Sequence, residues 1–173
     1  EGSKFLYTRG VGLLLLLYIQ ERGLRNLESE AFVDYNKICL ALGDSYLVFS
    51  GVYDTSYRKR LEIISSLSFE GFPYASRIRE LYERALIRKL FDSKIPVNID
   101  MDNCVDITEI FISYTLWFES SRLGHEFNSV AEYIDFINNK SLSLTQRITK
   151  SHYFLSDLCR VLILADWHLK LIN

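Results

Sequence analysis

Residues 27–51 read LESEAFVDYNKICLALGDSYLVFSG, and this stretch decides the fold class. Its apolar positions Phe32, Tyr35, Ile38, Cys39, Leu42, Tyr46 and Phe49 recur at steps of three and four, the spacing that stacks side chains on one face of an α-helix. Asp34, Lys37 and Asp44 fall away from most of that stripe. A helix is therefore predicted from Leu27 to Ser50, closed by Gly51, which takes up the left-handed C-terminal conformation without a Cβ penalty. Gly43 lies inside this helix and costs about 1 kcal/mol there against Ala. A close helix crossing is the common reason for such a glycine, and the approach of a ligand the less common one.

The same grammar extends in both directions. Towards the N-terminus a helix is predicted from Ser3 to Arg22, ending at Gly23, with Leu13 to Leu17 leaving no polar face over more than a turn. A helix apolar all round belongs in the middle of a bundle or against a partner. Towards the C-terminus Asp54, Thr55 and Ser56 offer N-caps for a helix from Tyr57 to Leu67. After a loop holding Gly71 and Pro73, a strongly amphipathic helix is predicted over Tyr74–Phe91, with Ile78, Leu81, Tyr82, Ala85, Leu86 and Leu90 as its stripe. Its arginines alternate with Glu80 and Glu83, the arrangement of ordinary i,i+4 pairing. Ser93–Asp102, with Pro96, is the best linker and the one place to subdivide the chain. Further helices are predicted over Cys104–Leu123, ending at Gly124, over Val130–Asn138, capped by Asn128 or Ser129, and over Leu144–Leu171. No strand alternation and no repeat period appear. The prediction is an all-α bundle of about seven helices, a single domain over residues 1–173.

Composition sets the outer limits. A chain of 173 residues with 49% hydrophobic and 24% charged residues folds as a globular domain. With 8 Gly and 2 Pro it lacks the turn residues that an all-β chain spends freely. A net charge of −2 argues against a general nucleic-acid binder. Cys39, Cys104 and Cys159 are far apart, odd in number and set among apolar neighbours, so they read as free buried thiols in a reducing, cytoplasmic setting. The longest apolar run, Val11–Ile19, is about half a bilayer crossing. Gln20, Glu21 and Arg22 follow it where a signal peptide needs small residues for cleavage. No membrane partner is expected. The chain opens Glu1-Gly2-Ser3 and has one Met, Met101, so it reads as part of a longer polypeptide.

No P-loop, GxGxxG, HExxH, GxSxG or EF-hand pattern is present. The distinctive segment is Lys37, then Ala41-Leu42-Gly43-Asp44, Leu47, Gly51-Val52-Tyr53, Ser56-Tyr57-Arg58 and Arg60. In order and spacing it resembles the helical region that follows the catalytic domain in bacterial proteins of the nucleotidyltransferase superfamily. The match covers about a fifth of the chain. The resemblance implies a domain packed beside a catalytic module and helping to form the nucleotide or acceptor cleft. It implies Mg²⁺ and a nucleoside triphosphate on that module, held by an Asp-x-Asp or Asp-x-Glu pair after a Gly-Ser turn. Asp100 and Asp102 have the spacing of such a pair but lie in the Pro96 linker with no Gly-Ser turn before them. No catalytic residue, metal ligand or cofactor is therefore assigned within this chain.

Within the segment, Lys37 is the candidate phosphate contact, as a point charge, followed by Arg58 and Arg60 near a helix N-terminus where an anion is favoured. The ordinary reading of all three is a solvated or ion-paired surface charge. Tyr53 and Tyr57 are candidates to stack on a base, with core packing as the usual alternative, and Asp44 is placed to pair with one of the cations. Two other readings stand beside this one. One is a helical protein-interaction module or homodimer docking through the first helix. The other starts from Arg147 and His152, whose spacing resembles the Arg-x4-His of metal-independent HEPN ribonucleases, where His serves as the acid/base group. His125, just after Gly124, reads as a favourable charge at a helix end.

Overall fold

Helical periodicity without strand alternation leads to helices, and the computed structural model describes residues 2, 5, 6, 8–10, 12, 13, 28–91, 101–139, 164 and 166, with no strand among them. Five helices are α1 (Glu28–Phe49), α2 (Tyr57–Ser66), α3 (Ala75–Phe91), α4 (Met101–Leu123) and α5 (Val130–Asn139). Helical residues within 2–13 belong to a further helix before α1. Six helices are thus counted among the described residues, against about seven predicted. The last predicted helix, 144–171, lies outside them apart from Leu164 and Asp166, which are helical. Gly23 also lies outside them. Among the described residues no helix is long and apolar enough to cross a membrane.

Most boundaries fall within a residue of those predicted, because the capping chemistry is local. Gly51, at φ 72°, closes α1 with the Val52 amide donating to the Leu47 carbonyl at 2.9 Å and the Gly51 amide to the Val48 carbonyl at 3.1 Å. These are the two bonds that satisfy the last carbonyls of a Schellman end. Gly124, at φ 64°, ends α4 the same way, the His125 amide donating to the Ser120 carbonyl at 3.2 Å. Ser56 caps α2 by accepting from the Lys59 amide. Of the two caps offered for α5, Ser129 is used: its hydroxyl accepts from the Glu132 amide at 3.1 Å, while Glu132 accepts from the Asn128 amide at 2.9 Å. The larger departure is α4, which is already helical at Met101, ahead of the predicted start at Cys104, and so takes in the end of the predicted linker. Asp102 is accordingly helical, not on a strand, and Asp100 lies outside the described residues.

Helix α1 is central. Every residue from Ile38 to Leu47 is buried, which one apolar stripe cannot explain; it requires neighbours on all sides. Helix α3 packs antiparallel along it, from Tyr82 against Gly43 to Arg88 beside Asn36 and Phe32. A Cβ on Gly43 would stand well inside van der Waals distance of Cγ of the Tyr82 ring, so the glycine marks a close helix crossing. Helix α4 covers another side: Ser45 Oγ lies 3.1 Å from the Tyr114 hydroxyl, and Phe49 packs on Trp117 with ring centroids 5.3 Å apart. Tyr46 gathers the loop before α3, its ring tilted against Phe69 at 4.5 Å and Phe72 at 4.7 Å between centroids. The helix before α1 approaches at Gly12, where a Cβ would stand 3.4 Å from Asp34, and at Phe5, 5.5 Å from the Tyr53 ring.

Candidate functional site

Gly43 lets the Tyr82 ring approach α1 closely, and that contact helps set the position of the phenol hydroxyl. The hydroxyl donates to Asp44 Oδ1 at 2.6 Å. The same carboxylate oxygen accepts from Arg60 Nη1, an ion pair within hydrogen-bonding distance. One oxygen of one aspartate therefore joins α1, α2 and α3. Asp44 and Arg60 are 7% and 3% exposed, so the pair is sealed from water.

The aromatic residues of the segment complete this arrangement. The Arg60 guanidinium carbon lies 4.3 Å from the centre of the Tyr57 ring and 5.2 Å from that of Tyr53. Both are within range of an attractive cation–π contact, which strengthens when water is excluded. Arg60 Nε is buried without a hydrogen-bond partner among the described residues, beside the two rings. Asp54, on the loop between α1 and α2, accepts from the Ser56 amide at 2.7 Å and pairs with Lys59 at 3.3 Å, fixing the turn that starts α2.

Burial acts on the two charged partners in opposite ways. It pushes the Asp44 carboxyl above the usual carboxylate range, although the bonds from Tyr82 and Arg60 pull it down. It also works against the Arg60 charge, but there the bond and the charge of Asp44 win, and the guanidinium is held more firmly protonated. Burial beside the Asp44 charge likewise raises the Tyr82 phenol. The group is built to hold a charge pair in place. A carboxylate whose bonded oxygen already faces two donors is poorly placed to accept a proton from a substrate.

Of the six residues singled out in the sequence, four meet here: Asp44, Tyr53, Tyr57 and Arg60. The other two stand apart from the buried pair. Lys37 is paired on the surface with Asp34 at 2.8 Å, about two turns of α1 away from Asp44. Arg58 is exposed on the first turn of α2. The sequence reading missed Tyr82, which it assigned to the apolar stripe of α3; nothing in its neighbourhood marks it as an aspartate ligand.

Other candidates resolve simply. Cys39 is a buried free thiol, pushed up to about 12 by burial. The α3 arginines do pair with glutamate, Arg84 with Glu80 at 3.1 Å and Arg77 with Glu80 at 2.9 Å, and Arg77 also reaches Asp106 of α4 at 3.1 Å. His125 stacks on Phe136 with centroids 4.6 Å apart. A second buried carboxylate, Glu119 of α4, accepts from Arg122 Nε at 3.0 Å and from the Tyr133 hydroxyl at 3.4 Å. Arg147, His152 and Cys159 lie outside the described residues. Among the described residues no group of three or more His, Cys, Asp or Glu is placed to hold a metal ion. No family model, curated protein or solved structure matches this chain.

Proposed function

We propose that this chain is a non-catalytic helical domain, a bundle of about seven helices, that accompanies a nucleotidyltransferase module and helps wall its nucleotide or acceptor cleft. The observation that carries the reading is the meeting of Asp44, from Ala41-Leu42-Gly43-Asp44, with Arg60, Tyr53 and Tyr57 from the following stretch. Two halves of the motif, separated in sequence, form one three-dimensional unit. In this reading Asp44 and Arg60 are struts. They fix the start of α2, so that Arg58 and the exposed edge of Tyr57 face outward where a neighbouring module would sit. Lys37 is the further cation along α1, released from Asp34 when a phosphate competes for it. Mg²⁺ and the nucleoside triphosphate belong to the accompanying module, and the setting is cytoplasmic.

The reading frame upstream of Glu1 tests the proposal. A Gly-Ser turn followed by Asp-x-Asp or Asp-x-Glu on a strand supports it, and an upstream region without such a pair overturns it. A second reading, a protein-interaction module, is favoured by Val33, Ile87 and Phe91, which are 50%, 38% and 67% exposed. They lie on the N-terminal half of α1 and the C-terminal half of α3, which run side by side. Sedimentation of the chain as a dimer, with loss of dimer in Phe91→Ser, would favour that reading.

A further inference from the structure

Helix α2 is ten residues long, shorter than a helix that persists alone in water. It packs along α3, yet the residues it buries fully are Arg60 and Ile64. Its flanks, by contrast, are pinned. On one side the Val52 amide is bonded to the Leu47 carbonyl at the end of α1. On the other, the Ser68 carbonyl accepts from the Tyr46 hydroxyl at 2.9 Å, and Phe69 is buried against the Tyr46 ring. Between these anchors Ile64 alone of the apolar side chains is fully buried, with Tyr53, Leu61, Ile63 and Leu67 partly buried against the core. That is fewer sealed side chains than in α1 or α3, and the tie to α1 includes a charge pair. Local opening free energies follow buried apolar contact, so such a segment sits at the low-stability end of a fold.

We propose that residues 53–67 form a strap that opens as one unit between the Val52 and Ser68 anchors, with Arg60 on Asp44 as its latch, while α1, α3 and α4 stay folded. Opening draws the Arg60 guanidinium off Asp44 together with the Tyr57 ring, and parts Tyr53 from Phe5 of the helix before α1. It uncovers the Asp44 carboxylate and the Tyr82 hydroxyl, a hydrogen-bonding pair that the closed strap conceals. A buried ion pair suits a latch, since removing one partner strands the other charge while the pair itself adds little net stability. The device is independent of whatever module the domain accompanies.

Native-state hydrogen exchange on the whole chain, with guanidinium added below the unfolding transition, tests it. The amides of residues 61–66 are expected to exchange at one common protection, about 100-fold or more below that of residues 42–47, and with a shallower denaturant dependence. Ile110→Val, a truncation at a fully buried position of α4, is expected to lower protection in α1 about fivefold. It should leave α2 unchanged, because α4 stays folded when the strap opens. Arg60→Ala should speed α2 exchange about tenfold or more. Equal protection and equal denaturant slopes for α1 and α2 in the wild type overturn the proposal. So does an Ile110→Val effect of the same size in both. If Arg60→Ala does not fold, the wild type and Ile110→Val decide between the outcomes.

Discussion

Along α1 every residue from Ile38 to Leu47 is buried, whereas α2 sinks only Arg60 and Ile64. The first helix is fixed by shape: apolar side chains on several faces and a glycine that admits an aromatic ring. The second seals less apolar surface, Ile64 with parts of Leu61 and Ile63, and adds a guanidinium clasped by a carboxylate and two phenol rings. Packing is short-ranged and rewards close fit everywhere, so a central helix resists substitution at many positions. A charge clasp concentrates the same role in one contact, and the helix around it tolerates exposure. Two neighbouring segments of one motif therefore differ in how they can be broken.

The sharpest way to break the shape-fixed side is Gly43→Val. The added atoms meet the Tyr82 ring at its attachment to the chain, where it has least freedom to turn aside. We expect a loss of about 4 kcal/mol or more in chemical denaturation, with both α1 and α3 affected. A loss below about 1 kcal/mol would mean that the crossing is looser than the geometry implies.

Tyr82→Phe probes the point where shape and charge meet. The ring and its seat on Gly43 remain, and only the donor to Asp44 is removed. A hydrogen bond to a charged acceptor sets the expected loss at about 2 kcal/mol. An unchanged midpoint would assign the pair wholly to Arg60. Ser56→Ala touches the charge-fixed side alone, because it removes the cap of α2. The bond to the Lys59 amide is long, 3.5 Å, so about 0.5 kcal/mol is expected, visible in α2 before any other helix.

The smallest effects are in pH dependence, where the two sides should differ in sign. Asp54 is held below its ordinary 3.8, first by the Ser56 amide, so its contribution is present above that value and fades as pH falls below it. Asp44 is raised by burial; the stability linked to its proton is fullest at acid pH and is lost as pH rises through its folded value. Stability curves for Asp54→Asn and Asp44→Asn, each subtracted from wild type between pH 3 and 7, a span of about 4 units around the ordinary carboxylate range, should slope in opposite directions. Parallel slopes would mean that the bonds from Tyr82 and Arg60 outweigh burial at Asp44, and a flat Asp44 curve would place it in water.

What the sequence disclosed follows the range of the forces. Helix ends are set by residues within one turn, so Gly51, Gly124 and Ser56 were legible as caps and boundaries. The stripe from Phe32 to Phe49 announced a helix but not its burial at Leu40, Ala41, Ser45 and Leu47, on its other faces, because only the neighbours α3 and α4 make those faces interior. Gly43 signalled a close crossing without naming the ring that fills it. Asp44 and Arg60 stood out as members of one motif, yet their burial was hidden: an arginine followed by Leu61 and Glu62 looks like a surface residue until its partner sixteen positions away is placed. Tyr82, thirty-eight positions from Asp44, carried no mark at all.

The seat of Tyr82 on Gly43 has a consequence for how this sequence can drift. A larger residue at position 43 and a full aromatic ring at position 82 exclude each other, and a smaller residue at 82 leaves a hollow over the glycine. Neither site is free to change first without loss. Substitutions at the two are expected to arrive together, as Ala at 43 with a narrow aliphatic side chain at 82. Any such pair also gives up the phenol on Asp44, so Arg60 must then hold that carboxylate alone or Asp44 must change with them. Among relatives of this chain, the signature to seek is three positions, 43, 44 and 82, that vary as one.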